Sequence, residues 1–174
     1  MRVLSKHNAL LPCIQRATDL LTSMPHKTIV VDIDDTLIFD DGRLTPNMQV
    51  KELVQKLKND KYAVHLVTAR SKTADMTRIT KAELKKLGIQ YDSLALAPER
   101  NRKDMVATSK WKFEQRQLHA PVSLSIGDQW SDFIKLESEE DLFKWDMEHR
   151  TDLTPWILVV PEDGITSLGM KLLA

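Results

Sequence analysis

Residues 29–37, IVVDIDDTL, form the stretch that decides the fold of this chain. The run is apolar on both faces, as in a central parallel strand, and then ends in Asp32, Asp34 and Asp35. An unpaired buried carboxylate is costly, so a buried strand seldom ends in three acids unless a cation neutralises them. The stretch therefore predicts a central strand whose carboxyl end lies beside a cation.

Apolar strands and amphipathic helices alternate along the rest of the chain. We predict strands over residues 28–33, 63–67, 94–97, 122–126 and 156–160, and helices over 13–23, 72–87, 104–119 and 165–172. A further helix is predicted to begin at Thr45-Pro46 and to bury Val50, Leu53, Val54 and Leu57. This order predicts an α/β fold of three layers, with a mainly parallel sheet and helices on both of its faces.

The chain of 174 residues is expected to form a single domain over residues 1–174. Its first part, residues 1–25, is predicted to be a helical extension. The turn sequence Asp40-Asp41-Gly42 predicts a small hairpin over residues 37–44.

The composition is that of an ordinary soluble globular protein, with 42% hydrophobic and 29% charged residues and a net charge of +0. We expect no general attraction to nucleic acid or membranes, although residues 100–116 are locally basic. No apolar run approaches the ~20 residues that a membrane helix needs. Cys13 is the only cysteine and no secretory signal is visible, so we expect a cytoplasmic protein.

Polar residues follow three of the predicted strands: Asp32 and Asp34, then Thr68, then Asp128. Parallel strands bring their carboxyl ends to one rim, where ligands bind. Asp32 is placed to attack phosphorus and form an aspartyl-phosphate, and Asp34 to exchange protons with the leaving group and with water. Thr68 offers a hydroxyl to a phosphate oxygen.

A lysine and a metal ion would complete such a site. The lysine would neutralise charge in the transition state, and Lys110 and Lys112 are both candidates. The metal is predicted to be Mg²⁺, which prefers oxygen ligands. Its predicted ligands are Asp32, Asp34 through the main-chain carbonyl, Asp128 and Asp132, which lies one helical turn beyond Asp128.

Four motifs, in order, resemble those of the haloacid dehalogenase (HAD) superfamily of phosphatases. They are DIDDT at 32–36, HLVT at 65–68, Lys112 within WKFEQR at 111–116, and GDQWSD at 127–132. The first and last are similar to the branch that includes plant acid phosphatases and vegetative storage proteins, subfamily IIIB.

The resemblance implies a Rossmann-like fold, Mg²⁺ and the hydrolysis of phosphomonoesters. It implies that Asp32 is the nucleophile, Asp34 the acid/base and Asp128 a metal ligand, with Asp132 in or near the metal shell. The hairpin at 37–44 would be the flap over the site. One departure is that the family's Tyr-Lys-Ser around the lysine is Trp111-Lys112-Phe113 here.

Short connections between the motifs predict a minimal or absent cap and an open site. A nucleotide or a nucleic-acid end could then enter, as well as a small phosphomonoester. Two hypotheses follow: a Mg²⁺-dependent phosphomonoesterase, and a non-catalytic phosphate-binding or storage protein on the same scaffold. The combination of Asp32, Asp34 and Asp128 favours the enzyme.

Overall fold

Strands and helices alternate through the part of the chain that the structure, a computed structural model, describes. That part comprises residues 18–39, 41–101, 103–133, 135–138, 156–162 and 167–173. The strands are β1 (Thr28–Val31), β2 (Ile38–Phe39), β3 (Thr45–Pro46), β4 (Ala63–Ser71), β5 (Ser93–Ala97), β6 (Leu124–Gly127), β7 (Trp156–Glu162) and β8 (Ser167–Leu173). The helices are α1 (Met48–Asn59), α2 (Ala74–Lys86) and α3 (Met105–Leu118), and residues 18–22 are also helical.

The main sheet has the strand order β5-β4-β1-β6-β7-β8. The first five strands in this order, β5, β4, β1, β6 and β7, are parallel to one another. Strand β8 is antiparallel to β7. In the register of the sheet, Val31 lies opposite Leu66 of β4 and Ile126 of β6. The predicted mainly parallel sheet is confirmed, and its central strand is β1.

Helices cover both faces of this sheet. Successive side chains of β4 point to opposite faces: Val64 and Leu66 pack in the main core, whereas His65 stacks on His119, the residue that ends α3. Helices α1 and α2 contribute to the main core, and the predicted apolar stripe of α1 is buried. The buried core residues of this face include Ile29, Val31, Val50, Leu53, Val54, Leu57, Val64, Leu66, Leu84, Leu124 and Ile126.

The hairpin after β1 differs in its bounds from the prediction of 37–44. Strand β2 pairs with Thr45–Pro46, so the hairpin extends two residues further. Leu44 adopts a left-handed backbone with φ 59° before the second strand begins. The predicted helix start at Thr45-Pro46 is therefore wrong: Asn47 caps α1, and its side chain accepts a hydrogen bond from the Val50 amide.

The predicted helix over 165–172 is also wrong, because Ser167–Leu173 form strand β8. A short apolar run does not by itself distinguish a helix from a strand. Here it pairs along the whole of β7, which continues through Pro161 instead of stopping there. Residues 13–17 of the predicted first helix, and residues 1–17 of the predicted extension, lie outside the described part of the chain.

Among the described residues, no helix combines the length and the apolar character needed to cross a bilayer.

Candidate active site

The carboxyl ends of β1, β4 and β6 meet at one rim, as predicted from the parallel arrangement of the strands. Asp32 follows β1, and its amide donates a hydrogen bond to the carbonyl of Ile126 in β6 (2.9 Å). Thr68 lies within β4, and Asp128 directly follows β6. The sheet thus brings together residues that are far apart in the sequence.

Lys112 lies at the centre of this group. Its ammonium donates to Asp32 Oδ1 (2.9 Å) and forms an ion pair with Asp132. The side chains of Lys112 and Asp32 are only 7% and 6% exposed, so both charges are shielded from water. Burial lowers the pKa of Lys112, but the charges of Asp132 and Asp32 outweigh burial and leave the pKa above its ordinary value. Of the two candidate lysines, it is Lys112 that reaches the carboxylates.

Three carboxylates cluster around this ammonium. Asp32, Asp128 and Asp132 each offer an oxygen, and these oxygens lie within 4.8 Å of one another. Burial raises the pKa of Asp128 to about 7, with a further contribution from the charge of Asp132. Burial also raises the pKa of Asp32 well above its ordinary value, although Lys112 opposes the change. One lysine does not balance three carboxylates, so the cluster is suited to an added cation.

Asp132 is positioned by the loop that follows β6. Its Oδ2 accepts hydrogen bonds from the amides of Asp128 (3.1 Å) and Gln129 (3.0 Å). Its carbonyl accepts a hydrogen bond from the guanidinium of Arg116 (3.0 Å), which is buried and which the sequence analysis missed. A Cβ atom on Gly127 would overlap the Asp132 side chain. The glycine of the GDQWSD motif therefore makes room for its last aspartate.

The side chain of Asp34 lies outside the acidic cluster and pairs with Arg70. Arg70 Nη2 and Nε donate to the two carboxylate oxygens at 2.7 and 2.9 Å. Its Nη1 donates to Glu83 Oε2 (2.5 Å) and Thr80 Oγ1 (3.0 Å), which belong to α2. Burial lowers the pKa of Arg70, but the hydrogen bonds to Asp34 and Glu83 raise it above its ordinary value. The main-chain carbonyl of Asp34 as a metal ligand stays a prediction.

Arg70 was not identified from the sequence, although a signal was present. It lies two residues after Thr68, and alternate residues of a strand share a face. The predicted strand ended near Thr68, whereas β4 continues to Ser71 across a register shift against β5. Thr68 is fully buried, and its hydroxyl donates to Asp34 Oδ2 (3.4 Å) while accepting from the Arg70 amide (3.2 Å). Thr68 and Arg70 thus both position Asp34.

Comparison with known proteins identifies the family of this chain. The family model described as HAD superfamily, subfamily IIIB (Acid phosphatase), matches residues 38–151, which is more than half of the chain. A search of curated proteins finds no significant match.

Two solved structures share the fold: the Pnkp1/Rnl/Hen1 complex, with a TM-score of 0.58, and the Pnkp1/Rnl/Hen1 RNA repair complex, with 0.59. Both matched chains are 21% identical to this one, over 81% and 79% of its length. The match covers only 48% and 43% of those longer chains.

Proposed function

The chain belongs to subfamily IIIB of the HAD superfamily, the acid phosphatases, and from this premise we propose that it is a Mg²⁺-dependent phosphomonoester hydrolase. The reaction would proceed through an aspartyl-phosphate on Asp32. The observation that carries the proposal is the buried Lys112, which joins Asp32 to Asp132 at the rim of the sheet. A buried carboxylate held by an ammonium, beside two further carboxylates, is suited to phosphoryl transfer.

In the first step, a carboxylate oxygen of Asp32 attacks the phosphorus atom of the ester. The bond between phosphorus and the leaving oxygen breaks, and that oxygen takes a proton from the carboxyl group of Asp34. The substrate leaves as an alcohol, and its phosphoryl group stays on Asp32. Lys112 balances negative charge on Asp32 and on the phosphoryl oxygens nearby.

In the second step, Asp34 accepts a proton from water as the water oxygen attacks the phosphorus atom. The bond between phosphorus and Asp32 breaks, which releases inorganic phosphate and restores both aspartates. The side chain of Asp34 is 40% exposed, so water can reach it, and Arg70 and Thr68 orient it. Because both oxygens accept from Arg70 in the structure, the protonated form that acts in the first step would give up one of these contacts.

The acidic cluster fits Mg²⁺, because all of its donors are oxygen atoms and one lysine leaves it with excess negative charge. We infer that Asp32, Asp128 and Asp132 would hold the ion, with the main-chain carbonyl of Asp34. When bound, Mg²⁺ would neutralise the repulsion between the carboxylate and the anionic phosphate.

Nucleotides or polynucleotide ends are the substrates we propose. The two structures of similar fold are complexes of Pnkp1, Rnl and Hen1, one of them described as an RNA repair complex. Between Asp34 and Lys112 the described residues form only the hairpin and the elements of the sandwich, so this part of the chain contains no inserted cap.

Replacement of the nucleophile tests the proposed reaction. Asp32→Asn should reduce hydrolysis of p-nitrophenyl phosphate in Mg²⁺ by at least about 1,000-fold, because an amide does not attack phosphorus. The control is Asp75→Asn, since Asp75 is an exposed residue of α2. Acid quench of wild type with ³²P-labelled substrate should trap a hydroxylamine-sensitive acyl-phosphate.

Circular dichroism establishes that both variants fold. Undiminished turnover by Asp32→Asn, or by wild type in excess chelator, would contradict the mechanism. A folded wild type that binds phosphate but hydrolyses no phosphomonoester would favour the non-catalytic alternative.

A further inference from the structure

A cleft of about 290 Å³ opens beside the candidate active site. Its walls include Lys112 of the site, Ala69, which follows Thr68, and Gln129, which follows Asp128. Lys103 and Met105, at the start of α3, also line it. A phosphate on Asp32 would therefore have this cleft next to it, where a leaving group can lie.

We propose that the cleft binds the nucleoside of a terminal nucleotide, and that Lys103 contacts the next phosphate along the strand. This inference rests on the proposed phosphatase function and assigns to residues of the cleft the recognition of the proposed nucleotide substrate. The volume is near the lower end of the range for ligand pockets. A cleft of this volume can hold one nucleoside, and the rest of a nucleic-acid strand would continue along the protein surface.

Met105 gives the cleft the apolar surface that a base requires. Met105 is 40% exposed and lies in the first turn of α3, so its side chain is accessible to a ligand in the cleft. The methionine thioether is polarisable and makes favourable contacts with flat aromatic rings. A simple sugar phosphate would gain little from this contact, whereas a nucleobase would gain a stacking surface.

Gln129, which also lines the cleft, supplies polar recognition. It is exposed, and the Ser131 hydroxyl donates to its Oε1 at 3.4 Å. A glutamine amide carries both donors and an acceptor, which suits the edge of a base or the hydroxyls of a ribose. Because Gln129 directly follows Asp128, a group that it binds lies close to the reacting phosphate.

Lys103 places an exposed positive charge among the residues that line the cleft. It is exposed and adopts a left-handed backbone with φ 71°, a conformation that is uncommon for lysine. The neighbouring Asp104 also lines the cleft, and its carboxylate caps α3 by accepting from the Ala107 amide (2.8 Å). An exposed ammonium that lines the same cleft as Lys112 suits a further phosphate of a polynucleotide.

The experiment compares three substrates with the full chain in Mg²⁺: glycerol phosphate, a nucleoside monophosphate and a short oligonucleotide with a terminal phosphate. Nucleotides and oligonucleotides are tested with the phosphate at the 5′ and at the 3′ position. Wild type should prefer both nucleic-acid substrates to glycerol phosphate, as measured by kcat/KM. A phosphotyrosine peptide is included as a ring-bearing competitor.

Met105→Ala should lower kcat/KM by about 10-fold for both nucleic-acid substrates, as expected for the loss of one stacking contact, and leave glycerol phosphate within about 2-fold. The matched control is Ile79→Ala, which shortens an exposed apolar residue of α2. Lys103→Glu should affect only the oligonucleotide, by about 10-fold, and lower its salt slope by about 1. Lys51→Glu, on α1, is the charge control.

Equal losses on all three substrates, no loss with Met105→Ala, or a preference for the phosphopeptide would each overturn the inference. Hydrolysis of p-nitrophenyl phosphate by wild type, abolished in Asp32→Asn, shows separately that the proposed function holds. Should wild type hydrolyse nothing, binding of a fluorescent phosphorylated oligonucleotide decides: affinity lowered by both cleft variants supports the cleft, and unchanged affinity contradicts it.

Discussion

Arg70 fixes the orientation of Asp34 and does so with a planar group. The guanidinium donates hydrogen bonds to both carboxylate oxygens. This bidentate contact holds the carboxylate in the plane of the guanidinium, whereas a lysine ammonium would not fix its plane. Glu83 and Thr80 hold the other side of the fork, so the group has little freedom to rotate. The proposed proton donor is thereby tied to α2.

Arg70→Lys tests whether this geometry matters beyond the charge. The lysine keeps a cation beside Asp34 but loses the two parallel hydrogen bonds. We expect kcat for p-nitrophenyl phosphate to fall by about 10- to 100-fold, because misplacement of a reacting group by about 1 Å costs that much. KM should change by less than about 3-fold, since Lys112 and the acidic cluster are intact.

The matched control is Arg78→Lys, because Arg78 is an exposed arginine that pairs with Asp75 on the surface of α2. Its kcat should stay at the wild-type value. Should Arg70→Lys keep full kcat at an unchanged melting temperature, the bidentate contact would have no part in positioning Asp34.

The sequence alone did not show which of two lysines, Lys110 or Lys112, belongs to the site. Lys110 and Lys112 are two residues apart, so on a helix they point in different directions. Which one faces the sheet depends on how the helix packs, and Lys112 shares its buried side with Ser109 and Arg116. These residues are polar, so no apolar stripe indicated that face of α3. The sequence could therefore limit the choice to two lysines but not decide it.

The loop after β6 shows how one element builds part of the site. Asp132 closes it by accepting from two amides, and its other oxygen pairs with Lys112. The aspartate has room for this contact only because residue 127 has no side chain. The motif pattern identified both residues, but their mutual contact depends on the short helical turn Trp130–Asp132, which the sequence did not indicate.

Gly127→Ala should displace Asp132 and thereby weaken the metal site. We expect a loss of about 1–3 kcal/mol in the free energy of unfolding, as for overpacking at a close contact. The affinity for Mg²⁺ should also fall, which titration calorimetry and the Mg²⁺ dependence of kcat would both measure.

Gly88→Ala is the matched control, because Gly88 ends α2 with φ 67° and a Cβ there meets open space. It should cost about 1 kcal/mol in stability through the backbone alone and leave Mg²⁺ affinity unchanged. Equal Mg²⁺ affinity in the two variants would show that the Gly127–Asp132 contact does not support the metal site.

At the scale of the whole molecule, the sequence predicted the centre of the sheet better than its edge. Strand β1 is apolar on both faces and leads into the acids, so its central position and the meeting of β4 and β6 beside it followed from simple rules. The edge strand β8 was predicted as a helix, since seven residues carry too little periodicity to decide. Its strand conformation depends on pairing with β7, which the pattern of these seven residues alone does not reveal.

A pair of stacked histidines joins the two layers on the face opposite the main core. The rings of His65 on β4 and His119 at the end of α3 lie 3.6 Å apart and within 10° of parallel. His65 Nδ1 also contacts Ser93 Oγ of β5 at 2.7 Å. Burial lowers the pKa of both histidines, and His119 lowers that of His65 further. Of the charged groups nearby, Asp92 opposes the shift of His65 and Lys58 adds to it.

Stability should therefore depend on pH through this pair. Both folded-state pKa values lie below the unfolded value of about 6.5, so the unfolded chain binds more protons and the histidine contribution to stability is lost as pH falls through that window. His119→Gln should flatten the slope of the unfolding free energy, measured with urea between pH 7.5 and 5.5 in chelator, whereas His26→Gln, at an exposed site, should keep the wild-type slope. Burial raises the pKa of Asp128, which acts with the opposite sign, but this group is present in all three proteins and cancels in the comparison. Parallel slopes for wild type and His119→Gln would show that the stack is not a pH-sensitive link between α3 and the sheet.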